Sequence, residues 1–180
     1  MKLRLAAAIL IATAGAAQAD VFTPGLYTVI NYSGAYPDYR NFKGAPTFLD
    51  GVEADVGWRF NRFYSVEASY SYFTGSSNPA SNNLSTTLQT GAIDALGYLP
   101  FGYASPFALY GDVGATGYFA SADTPTTQGH ENGFGARAGG GLQYQFDQDL
   151  GLRIGGRYDW ANLSHMKAAE VIAVGLVWQR

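Results

Sequence analysis

GFGARAGGGLQYQFDQDLGLRIGGRYDW, residues Gly133–Trp160, separates two residues at a time into two faces of opposite chemistry. One face carries Phe134, Ala136, Ala138, Gly140, Leu142, Tyr144 and Phe146, then Leu150, Leu152, Ile154, Gly156, Tyr158 and Trp160. The other carries Gly135, Arg137, Gly139, Gly141, Gln143 and Gln145, then Gly151, Arg153, Gly155, Arg157 and Asp159. Successive side chains of a strand point to opposite sides, so the pattern predicts a β-hairpin with an apolar face and a face of glycine and charge. Asp147-Gln148-Asp149 supplies its turn.

Working outward, the same unit recurs along the chain. Alternating segments are predicted at Gly25–Gly34, Leu49–Phe60, Phe63–Phe73, Thr86–Leu99, Pro106–Tyr118 and Ala169–Trp178, giving eight strands with the opening hairpin. In the first, Tyr27 and Val29 fall on the otherwise polar side. In the fourth, Leu88, Thr90, Ala92, Leu96 and Tyr98 are read as outward, which leaves Asp94 misplaced unless a bulge near Ile93 turns it inward. Connections after the odd-numbered strands are long and polar, among them Ala35–Thr47, Thr74–Ser85 and Phe119–Asn132, whereas those after the even-numbered strands are short. Ten or so residues per strand, at ~3.3 Å rise and ~45° tilt, cover on the order of 23 Å, enough for a bilayer core.

The N-terminus points to export. Lys2 and Arg4 precede an apolar run from Leu5 to Ala14, and Ala17-Gln18-Ala19 has the form of a signal-peptidase site, so 1–19 is read as a signal peptide and 20–180 as the barrel domain. Removing Lys2 and Arg4 from the 11 basic residues leaves 9 against 14 acidic, a net charge of −5 that argues against a nucleic-acid partner. The absence of cysteine excludes disulfides, thiolate metal sites and a thiol nucleophile.

Alternation alone also fits a soluble barrel turned inside out. Aromatic residues at the strand ends favour the membrane form: Trp58, Phe60, Tyr64, Tyr98, Phe107, Phe146 and Trp178 near the short turns, and Tyr70, Tyr72, Tyr118, Tyr158 and Trp160 near the long loops. Two such belts match the headgroup levels of a bilayer. The polar face, built of Gly, Ser and a few charges, suits a narrow interior better than a washed surface. The expected architecture is therefore an all-β, eight-stranded, antiparallel up-and-down transmembrane barrel in the bacterial outer membrane.

ALGYLP at Ala95–Pro100, LYGDVGATGY at Leu109–Tyr118, LGLRIGGRYDW at Leu150–Trp160 and VGLVW at Val174–Trp178 resemble strands of eight-stranded outer-membrane barrels of the OmpA transmembrane-domain type. The resemblance covers essentially Asp20–Arg180 without a peptidoglycan-binding domain, and the chain ends Gln179-Arg180 where such barrels usually end on an aromatic. The inward charges are read as Glu53, Asp55, Arg59, Glu67, Asp112, Arg137, Arg153, Arg157 and Asp159, an ion-pair network filling the lumen. The resemblance implies that partner exchange in such a network acts as a gate, with Glu53 and Arg153 the matching positions.

The functional reading is a structural or surface-interaction role for a monomer meeting outer-membrane lipid and lipopolysaccharide, with a possible surface ligand at the long loops, where Tyr36, Tyr39, Arg40, Phe42 and Lys43 fall. The alternative is a small gated pore for small solutes or hydrophobic molecules. A lipid A-modifying enzyme is the third class. His130 beside Glu131 and His165 beside Ser164 lie in long loops, but neither makes a dyad by sequence, so no catalytic, metal or cofactor residue is assigned.

Overall fold

The computed structural model describes residues 22–39, 45–77, 84–102, 105–124 and 127–180. The expected signal peptide, and Arg40, Phe42 and Lys43 of the first long loop, lie outside them. Eight strands follow in order: β1 Gly25–Tyr39, β2 Leu49–Asn61, β3 Tyr64–Ser77, β4 Leu84–Pro100, β5 Phe107–Thr124, β6 Thr127–Gln145, β7 Leu150–Ala161 and β8 Met166–Gln179. Each pairs antiparallel with its sequence neighbours, and β8 returns to β1 through Thr28↔Trp178 and Ile30↔Leu176, closing the barrel. Closure matters because an open edge in lipid would leave backbone donors and acceptors without partners.

Burial alternates along the strands as the two-residue period requires. Ile30, Val52, Val56, Ile93, Val113, Ile154, Ile172, Val174 and Leu176 point out and are exposed. Such a surface would be unsupportable in water and is the expected face toward lipid.

Two readings need correction. Strand β4 faces the other way: Thr86, Leu88, Thr90, Ala92, Asp94, Leu96 and Tyr98 are all buried, and Ile93 and Leu99 are exposed. Asp94 needs no bulge, since the register runs unbroken through Glu67↔Asp94 and Asp94↔Gly114. Its charge fixes the phase, and the leucines share its face because the lumen contains apolar layers as well as charge. The same parity removes two aromatics from the expected belts. Tyr98 and Tyr118 are buried inside, whereas Trp58, Phe60, Tyr64, Tyr70, Tyr72, Phe107, Phe146, Trp160 and Trp178 are exposed, and Tyr158 stacks on Trp160 at 4.9 Å.

The long-loop side also differs. Within the expected loop Phe119–Asn132, residues 119–124 and 127–132 continue the β5–β6 ladder, with Phe119↔Asn132, Ala120↔Glu131 and Ser121↔His130 in register. Polarity there signals water on both faces, not the end of the ladder. Likewise β1 absorbs Tyr36 and Tyr39 of the expected first loop, and β8 begins at Met166.

Candidate functional site

The lumen is organised around three arginines on β6 and β7 that reach across to carboxylates on β2, β3 and β4. Arg153 Nη1 lies 2.7 Å from Glu67 Oε1. Its Nη2 donates to the Tyr98 hydroxyl at 3.0 Å and to Gln143 Oε1 at 3.2 Å. The Tyr27 hydroxyl donates to the same Glu67 oxygen at 2.6 Å. Arg157 places Nη1 and Nη2 at 2.8 and 2.7 Å from the two oxygens of Glu53 and its Nε 3.2 Å from Asp159. Arg137 donates from Nε to Asp94 Oδ1 at 2.6 Å, pairs through Nη2 with Asp94 Oδ2, and donates to Ser69 at 2.6 Å. Its Nη1 stands 3.9 Å from Glu53.

Small residues let these side chains cross. A Cβ at Gly57 would lie 2.8 Å from Glu67 Cγ and collide with the Tyr27 ring, so glycine there opens the route by which Tyr27 reaches Glu67. Hydroxyls complete the carboxylate shells: Ser71 donates to Glu53, and Thr90 donates to Ser71 at 3.1 Å. Asn31 Nδ2 donates to Asp55 Oδ2 at 2.8 Å.

The charged layer lies between two clusters of buried apolar and aromatic side chains. Toward the long loops, Ala35, Leu49, Phe73, Leu88, Tyr118, Leu163, Met166 and Val171 form an apolar cluster inside the barrel. At the short-turn end, Phe22 packs with Leu96, Tyr98 and Ala108. There Arg59, fully buried, lies over the rings of Phe22, Tyr27 and Tyr98 at 5.2, 4.9 and 4.8 Å and donates to Gln179 at 2.7 Å. Cation–π contact with several rings offsets part of the cost of burying that guanidinium.

The inward charges read from the sequence line the lumen, and Glu53 and Arg153, the two positions that match by resemblance, take different partners. Glu53 pairs with Arg157, and Arg153 pairs with Glu67. Asp94, Tyr27, Gln143, Asn31, Ser69 and Ser71 belong to the same network without being among the charges that the sequence assigns to it, and Tyr98, expected in the aromatic belt, joins it from inside. Asp94 alone carried a usable signal, as the single charge on a face otherwise read as apolar.

On the long-loop side, Glu131 on β6 ties down the β7–β8 connection. It accepts the Ser164 backbone N–H, and its Oε2 lies 3.2 Å from His165 Nδ1. Partial burial favours its neutral form, but the donors of Ser164 and His165 outweigh this and hold the carboxyl below the usual range. His130 is exposed on β6 opposite Ser121.

Residues 5–179 match the family model of the outer membrane protein beta-barrel domain. The chain belongs to that family. As a member of it, the protein resides in the bacterial outer membrane. No curated protein sequence matches. Among solved structures, Neisserial surface protein A aligns over 87% of this chain and 97% of its own at 16% identity and a TM-score of 0.69. The attachment invasion locus protein Ail of Yersinia pestis aligns over 88% and 99% at 14% identity and a TM-score of 0.65. OprG of Pseudomonas aeruginosa aligns over 89% and 98% at 11% identity and a TM-score of 0.69. At these identities the likeness concerns the fold.

Proposed function

We propose that this outer-membrane barrel is a closed, non-enzymatic scaffold whose working end is the hairpin crown above the membrane, supporting the outer membrane and its surface contacts rather than passing solutes. The observation that supports this reading is the layering of the lumen: a cross-linked charged layer lies between an apolar cluster on one side and the Phe22–Arg59–Tyr98 stack on the other. An eight-stranded barrel has an interior just wide enough for side chains to fill, and here they leave a cavity of only about 50 Å³ among the charges.

The crown is built from the outer parts of β5 and β6 and from the β7–β8 connection held by Glu131. The charged residues of the outer segments are Asp38, Asp50, Asp123, Glu131 and Glu170 against Arg40, Lys43 and Lys167. Ail has been solved in complex with the heparin analogue sucrose octasulfate. The acidic balance of the crown described here favours a neutral or basic partner over such a polyanion.

The small-pore reading draws on one feature, the placement of Arg137 between Asp94 and Glu53, which offers two partners to one cation. Lipid A chemistry has less support, because Ser164 is turned to Glu131 rather than to the imidazole of His165, so no hydroxyl–imidazole pair is seen among the described contacts.

The test is to trim the crown. Replacing residues 121–130 with Asn-Gly joins the paired residues Ala120 and Glu131 by a two-residue turn and leaves the barrel strands intact. The trimmed protein should still insert and still migrate differently before and after boiling, while cells carrying it lose protein-dependent surface attachment. Attachment and detergent resistance that survive trimming and are lost only when the whole protein is removed would place the function in the barrel instead.

A further inference from the structure

The short-turn end of the lumen is covered by a piece of chain that is not part of the barrel wall. Gly25, the first residue of β1, has a φ of 149°, a backbone conformation that side chains rarely adopt, and a Cβ there would meet the Arg180 carbonyl oxygen at 3.0 Å. Residues 22–24 leave the line of the strand at this glycine and turn inward. Phe22 is only 1% exposed and packs with Leu96, Tyr98 and Ala108 of β4 and β5. In a closed ring of eight strands, β4 and β5 stand across from β1, so this short strap carries an aromatic ring over the mouth.

Gln179 on β8 fastens the strap. Its Nε2 donates to the Thr23 carbonyl oxygen at 2.7 Å and also reaches Thr23 Oγ1, while its Oε1 accepts from Arg59 Nη1 at 2.7 Å. One side-chain amide thus joins the strap to the guanidinium that lies over the Phe22 ring at 5.2 Å. The closure is opposed from within. Arg59 is fully buried, and its Nε and Nη2 have no hydrogen-bond partner among the described residues. The surrounding rings return only part of the hydration those donors have lost. Lifting the strap exposes Phe22 and breaks the Gln179 bonds, but it also lets water reach Arg59, and that gain offsets part of the cost.

We propose that residues 22–24 form a releasable stopper over the short-turn mouth of the lumen, seated by Phe22 against Arg59 and latched by Gln179, so that the strap and not the barrel wall sets access from that end. Gln179 is the positioning residue of this device: both the donor and the acceptor of its amide are used, which no aromatic or aliphatic side chain at that place could supply. The inference goes beyond the scaffold reading, because a barrel with an intact wall can still open at one end, and its test does not involve the crown.

The chain has no cysteine, so a single introduced thiol reports on access. Ala108→Cys places it in the buried cluster beneath Phe22, and the rate of its modification by a small, charged methanethiosulfonate is measured on the detergent-folded protein. The reagent reaches this thiol when the strap is lifted, so the rate follows the open fraction. Adding Phe22→Ala or, separately, Gln179→Ala should raise the rate by about tenfold or more. Ala35→Cys, buried in the apolar cluster at the other end, should react at the same rate with and without these changes. An Ala108→Cys rate that neither change raises overturns the proposal, and a rise with Phe22→Ala alone overturns the latch. An equal rise at Ala35→Cys also overturns it, because the whole barrel would then have loosened. Should Ala108→Cys fail to give the heat-modifiable species, Leu96→Cys in the same cluster takes its place under the same criteria.

Discussion

Arg153→Ala isolates the energetic logic of the lumen. The substitution removes the ion pair to Glu67 at 2.7 Å, the donors to Tyr98 and Gln143, and the guanidinium stacked 5.0 Å over Tyr110. Glu67 is left buried with the Tyr27 hydroxyl as its remaining strong donor. Breaking a buried pair by deleting one partner costs about 3–5 kcal/mol, most of it the burden of the orphaned charge. With a urea m-value of about 2 kcal/mol/M, the unfolding midpoint should fall by about 2 M. Adding Glu67→Gln removes the orphan while still accepting from Tyr27, so the double variant should be more stable than Arg153→Ala alone, with a coupling of about 2 kcal/mol. Tryptophan fluorescence in detergent, with the boiled and unboiled gel shift as a check on folding, reads both quantities. A single-variant cost below about 1 kcal/mol, or additive costs in the double variant, would refute the claim that Arg153 and Glu67 stabilise each other across the lumen.

The phase of β4 gives a second expectation. Asp94→Ala should cost about 3 kcal/mol by stripping Arg137 of its main partner, whereas Ile93→Arg, on the exposed face, should cost about 2–4 kcal/mol by placing charge against lipid; a neutral Ile93→Arg would reverse the faces. Gly57→Val should prevent formation of the heat-modifiable species, because its side chain collides with Tyr27 and Glu67; a normal gel shift for that variant would contradict the crossing of Tyr27. The Glu131 tie carries a pH dependence. Its folded carboxyl lies below its unfolded value, so the stabilisation is present above the usual carboxylate range, roughly pH 4.3, and is lost as pH falls through the depressed value. Hydrogen exchange at Ser164 and His165 should accelerate across that acid window in the wild type and be pH-independent, after correction for intrinsic rates, in Glu131→Gln.

Most of the fold was legible because a barrel wall imposes a two-residue period on each strand. The hairpin at Gly133–Trp160 shows why: its inward face holds only glycine, glutamine and charge, and its outward face only apolar, aromatic or small residues. Strand β4 was misread because both faces carry apolar residues, and Leu88, Leu96 and Tyr98 look like lipid-facing positions until the lumen is known to have apolar layers. The extension of β5 and β6 was missed because a ladder standing in water has no apolar face to betray it. The pairing of charges was out of reach for another reason. Arg153 and Glu67 are 86 residues apart and Arg157 and Glu53 are 104 apart, so contact across the lumen depends on barrel stagger, which alternation does not encode.

A closed scaffold requires a lumen that is shut. Single-channel recording in a planar bilayer tests it most directly, using protein whose insertion and folded gel mobility are verified in the same sample. The sealed layers predict a flat baseline for the wild type across the voltage range the bilayer tolerates. Steady or gated openings from the wild type would contradict the closed scaffold and make the arginine network of Arg137, Arg153 and Arg157 the place to look for a gate.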